Sequence, residues 1–71
     1  MSKADEMFEK LGYKKTITEQ SETFELGENI IKFWLWAKNI QAFTKNQIIC
    51  VQELQAINEK VKELGWNDNK K

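Results

Sequence analysis

The chain contains no histidine and no arginine, a single cysteine, and three glycines that stand far apart. Without histidine there is no imidazole for a catalytic triad, for a proton shuttle near neutral pH or for a nitrogen-ligated metal. Cys50 alone can close no intrachain disulfide and complete no thiolate zinc set, and it has no histidine base to activate it as a nucleophile. Isolated glycines build no phosphate-cradling loop, and the carboxylates lack the spacing of a calcium loop. An excess of one charge is also missing: eleven basic and eleven acidic side chains cancel, so no overall field draws the chain to nucleic acid or to an anionic membrane. The apolar runs are too short to cross a bilayer, and the first residues hold no apolar export core. A non-exported protein that does not span the membrane, working in a reducing cytoplasm, is the expectation. No catalytic residue, cofactor or metal is assigned, and the chain is not expected to be an enzyme.

What is present is enough for one small domain. Seventy-one residues lie near the lower limit for a core without staples, and 41% hydrophobic residues with 11% aromatic suffice for folding. The domain is expected over 1–66, and the polar end, 67–71, should fray as a disordered tail. Ser2 can cap a helix, with Ala4, Met7, Phe8 and Leu11 repeating on one face from Lys3 to Leu11. Gly12 then supplies a left-handed stop and Tyr13 folds back on the last turn. Leu54, Ile57, Val61 and Leu64 mark a second amphipathic helix, closed by Gly65 and Trp66 with the same chemistry. Cys50 stands at its N-cap with Glu53 in capping-box register, although a thiol is a poor cap.

Between the helices the period changes to two. Phe24 and Leu26 alternate with Thr23 and Glu25, and Gly27-Glu28-Asn29 supplies turn residues. Ile31, Phe33, Leu35 and Ala37 then alternate with Lys32, Trp34, Trp36 and Lys38. Pairing Leu26 with Ile31 sets Phe24 opposite Phe33 and Glu25 opposite Lys32. Lys38-Asn39 turns the chain into a strand over Ile40 to Thr44, and Thr16-Ile17-Thr18 can add an edge strand. The predicted fold class is α+β: helix, three- to four-stranded antiparallel sheet, helix, with the two helices packed on one sheet face.

The other face is then open, and it carries Trp34 and Trp36, with Phe43 as a cross-strand neighbour of Trp34. Burying two indoles is worth about 7–12 kcal/mol as an upper bound, comparable with the net stability of a whole domain. Three readings compete for them. The rings can be covered within the chain, by the segment from Lys14 to Ser21, by the polar tail or by a helix crossing to that face. They can anchor a protein partner, self-association included, with Lys32, Lys38 and Glu25 as a charged rim. Or they can stack on the bases of single-stranded nucleic acid, with lysines on phosphates, and then affinity should fall steeply as salt rises. The protein-binding reading is preferred, with Lys32, Trp34, Trp36, Lys38 and Phe43 as partner-binding residues. Asp5, Glu6, Glu9, Glu19, Glu22, Glu25, Glu28, Glu53, Glu59, Glu63 and Asp68 read as solvated charge, as do Lys3, Lys10, Lys14 and Lys15 interleaved with them.

The opening ADEMFEKLGY and the close QELQAINEKVKELGW resemble a group of small uncharacterised proteins encoded in phages and prophages of low-GC Gram-positive bacteria. The resemblance covers the two ends, about a third of the chain, and the strand region matches only in pattern. Such proteins tend to carry threonine or serine where this chain has Cys50. The resemblance implies an accessory protein that binds and redirects a host protein in the host cytoplasm. It implies no catalytic residues.

Overall fold

The computed structural model of the chain describes residues 2–66. The expected polar tail, 67–71, lies outside the described residues. Two helices, α1 (Lys3–Lys10) and α2 (Val51–Glu63), enclose in sequence four strands: β1 (Lys14–Ile17), β2 (Ser21–Leu26), β3 (Asn29–Trp34) and β4 (Asn39–Phe43). The strands form one antiparallel sheet in the order β1-β2-β3-β4, with both helices on one face, as predicted.

Capping chemistry sets the helix ends. Ser2 Oγ accepts the backbone N–H of Asp5 at 3.0 Å, and Asp5 and Glu6 in the first turn complement the positive end of the helix. At the other end Gly12, at φ 98°, donates to the Glu9 carbonyl and Tyr13 to the Phe8 carbonyl, the paired bonds of a Schellman stop. Gly65, at φ 76°, and Trp66 repeat them on Lys62 and Val61. Cys50 is the N-cap of α2, and Glu53 Oε1 accepts its backbone N–H at 2.9 Å.

The core lies between the helices and the inner sheet face. Phe8 and Phe24 stack at 4.1 Å between ring centres, Phe33 and Tyr13 meet Phe8 edge-on, and Ile31, Ala56 and Ile57 fill the rest. Met7, Leu11, Val61, Leu64 and Trp66 pack around this cluster, so the third tryptophan covers Phe33 at one end of the core.

Three details depart from the sequence reading. The β2–β3 register is shifted by two residues. Phe24 faces Ile31 and Leu26 faces Asn29, because Gly27 and Glu28 alone make the turn and Asn29 belongs to the strand. The predicted Glu25–Lys32 match is lost, and Lys32 stands opposite Thr23. β3 ends at Trp34 rather than running to Ala37, since Leu35 to Lys38 form a four-residue loop in which Lys38 donates to the Trp34 carbonyl at 2.9 Å. On α2 the buried side chains are Glu53, Ala56, Ile57 and Lys60, and Leu54 is 51% exposed. The buried stripe lies one position from the predicted one because two charged residues, Glu53 and Lys60, occupy the inner face.

Candidate interaction surface

No helix covers the second face of the sheet among the described residues. The strand register places three cross-strand rows on it: Glu25, Ile30 and Phe43 at one end, Thr16, Thr23, Lys32 and Gln41 in the middle, and Ser21, Trp34 and Asn39 at the other end. Side chains alternate between faces along each strand, so these rows follow from the pairing.

Trp34 is half-buried and held from two sides. Lys32 Nζ lies 4.3 Å from the ring centre, and Trp34 Nε1 donates to Gln41 Oε1 at 2.8 Å. Each contact is worth about 0.5–1.5 kcal/mol at an exposed site, enough to fix the orientation of the ring. Ser21, directly across from Trp34, is buried, and the neighbouring turn is tied by backbone N–H groups of Gln20 and Ser21 donating to Thr18 Oγ1. Gln41 was not singled out from the sequence. Its role depends on the four-residue loop that brings β4 back with Gln41 opposite Lys32.

The five predicted partner-binding residues do not form one cluster. Lys32 and Trp34 are in contact, and Phe43, 58% exposed, shares their face but stands opposite Ile30 rather than Trp34. Four residues of strand, about 13 Å, separate Ile30 from Trp34. Trp36, 82% exposed, and Lys38, at φ 57°, belong to the β3–β4 loop and adjoin the Trp34 end from outside the sheet.

The charged residues on the other side of the molecule are far more organised than the sequence suggested. Lys60 is fully buried, with its Nζ 3.0 Å from Asp5 Oδ1, 2.8 Å from Glu22 Oε1 and 2.9 Å from Glu63 Oε2. Lys15 adds a second cation 2.6 Å from Asp5 Oδ2. Burial alone would push the Lys60 ammonium down, but the bonds to Glu22, Glu63 and Asp5 outweigh it and hold its pKa above the ordinary lysine range. Burial would likewise raise Asp5, yet Lys15 and Lys60 hold it below the usual carboxylate range. For Glu63 burial is overcome by hydrogen bonds from Ser2 and Lys60, and its pKa is also lowered.

Tyr13 and Glu53 form a second buried polar contact, with the phenol donating to Glu53 Oε2. Burial and then Glu53 push the Tyr13 pKa up to about 12, while Glu53, against its own burial, is held low by Tyr13 and the Cys50 backbone. The Tyr13–Glu53 contact ties the chain after α1 to the first turn of α2. No group of three or more His, Cys, Asp or Glu among the described residues is placed to hold a metal ion, and Lys60 occupies the point where three carboxylates converge. A sequence signal existed, because Glu53 and Lys60 share the helical face of Ala56, Ile57 and Leu64.

Comparisons of the chain with protein-family models, with curated proteins and with solved structures return no match.

Proposed function

We propose that the chain is a non-catalytic protein-binding module, a phage-type accessory protein that works in the cytoplasm of a bacterial host and modulates a host protein. The observation that carries this reading is the inequality of the two sheet faces. One is closed by both helices, and the other presents a fixed Lys32–Trp34–Gln41 unit and an exposed Phe43 to solvent. A rigid aromatic flanked by lysine suits a protein surface that offers apolar side chains ringed by carboxylates. Lys14 and Lys32 outnumber Glu25 among the charges on that face, and Lys38 adds a further cation beside it.

The same face suits single-stranded nucleic acid less well. Lys32 already lies over the Trp34 ring, where a base would have to stack, and Glu25 stands at the opposite end. The test is capture from a Gram-positive host lysate by the tagged chain, with and without nuclease, beside a Trp34→Ala/Trp36→Ala variant and a Phe43→Ala variant. One host protein retained after nuclease and lost with the variants is the expected result. Capture that disappears with nuclease, and weakens steeply with salt, would replace this reading with the nucleic-acid one.

A further inference from the structure

The two edges of the sheet are built differently. β1 is four residues long and carries Lys14 and Lys15, the second tied to Asp5. Short, lysine-bearing edges resist pairing with other chains. β4 spans Asn39–Phe43 with no charged residue and no proline, its pairing to β3 is regular, and all five of its residues are exposed. Nothing in that strand guards its free backbone groups.

Exposed apolar side chains gather beside the unguarded edge. Among the described residues, Ile40, Phe43, Ile48, Ile49, Val51 and Leu54 make up six of the nine large apolar residues left exposed, and all lie in β4 or in the chain that follows it into α2. Leu54 occupies the flank of α2 turned away from α1, because Glu59, which pairs with Lys3, and Glu63, which Ser2 bonds, lie on the opposite flank. Since α1 packs beside β1, the Leu54 flank is the β4 side. Ile40 and Phe43 point to opposite faces of β4, so apolar side chains flank its free edge on both sides.

We infer that β4 pairs antiparallel with β4 of a second copy across a two-fold axis, joining two sheets into one of eight strands with all four helices on the same face. A two-fold contact must be self-complementary. With Gln41 opposite its own copy, Ile40 meets Ala42 and Asn39 meets Phe43, so no charges oppose one another along the strand. Just beyond it Lys38 faces Thr44 and Lys45 faces Ala37, which also keeps like charges apart. The alternation of ladder bonds fits the same register. From the two-residue turn at Gly27-Glu28, the pairs of β3 with β4 that exchange bonds are those of Ile30, Lys32 and Trp34. The amides of Ile40 and Ala42 therefore point outward, and in the proposed register they bond each other across the axis. The open sheet face runs on through such a dimer, with Phe43 at its rim beside the seam and Lys32, Trp34 and Thr16 away from it.

Sedimentation equilibrium and amide hydrogen exchange test the inference on the full chain. The expected results are a mass twice the 8.4 kDa of the chain at micromolar concentration, and protection of the Ile40 and Ala42 amides that rises with concentration. Ala42→Pro, which removes an outward donor without touching the β3 ladder, and Ile40→Lys should each weaken the dimer by about 100-fold. A wild-type chain that stays monomeric at millimolar concentration would overturn the inference, as would unprotected amides at both positions at every concentration. A dimer unchanged by both substitutions but lost in Trp34→Ala would also overturn it, by placing the two-fold on the open face. Hydrogen exchange on the wild-type chain decides the matter even if a variant fails to fold.

Discussion

Lys60 is the residue on which the helix side of the molecule depends. Its ammonium holds one carboxylate from α1, one from β2 and one from α2 at a point that water does not reach. Lys60→Met would remove the buried cation at which the three carboxylates converge, leaving Lys15 to offset Asp5 and Glu22 from one side only and Glu63 without its partner, at a cost of about 3–5 kcal/mol. For a domain of this size that is most of the net stability, so urea denaturation should find the variant largely unfolded or with a sharply reduced midpoint. The pH dependence follows by linkage. Lys60, raised in the folded state, contributes in full below the unfolded lysine value of about 10.4 and loses that contribution as pH rises through its folded value. Asp5, Glu53 and Glu63, lowered in the folded state, contribute above about pH 4 and lose it as pH falls through their folded values. The urea midpoint should therefore be flat from about pH 5 to pH 9 and fall on both sides. Tyr13 is the only tyrosine, so the phenolate absorbance of the native protein reports it alone; it should titrate near 12, and nearer the ordinary value in Glu53→Gln. None of this pairing was legible from composition. Charges spaced through a chain look solvated, and which of them meet depends on contacts between elements distant in sequence.

At the scale of the element, stop signals were legible and registers were not. Leu-Gly-aromatic endings state their geometry in sequence because only glycine takes a left-handed φ at little cost and the aromatic has a fixed place to fold back. The two glycines differ in one respect. A Cβ on Gly12 would meet Leu26 Cδ1 at 3.4 Å, whereas one on Gly65 would meet nothing. Gly12→Ala should therefore cost about 1–2 kcal/mol and Gly65→Ala about 1 kcal/mol, compared by thermal unfolding. Strand ends carried no such mark. From Phe33 to Ala37 every residue is apolar, so alternation could not say where β3 stops, and a bend forced by the loop decided it. The loop leaves Lys38 at φ 57°, and Lys38→Gly should raise stability by about 0.5–1 kcal/mol without altering the sheet. The two-residue shift between β2 and β3 kept every side chain on its predicted face, because the shift is even. For that reason the α+β layout and the open face were legible although the exact partners of Phe24 and Lys32 were not.

For the molecule as a whole, the described residues supply two helices, which close only one side of a four-stranded sheet. The core is spent on the closed side, around Phe8, Phe24 and Phe33. The other side is left with a tryptophan fixed by its neighbours, a phenylalanine in solvent and lysines around them, and one edge without protection. The proposed contact with another macromolecule rests on this exposed, oriented aromatic surface. A photoreactive residue at exposed Thr16, on the open face and away from β4, set against one at exposed Gln55, on the outer side of α2, tests this claim most directly in host lysate. The account predicts an adduct to a host protein from position 16 and none from position 55. An adduct from position 55 alone would contradict it and place the binding surface on the helices.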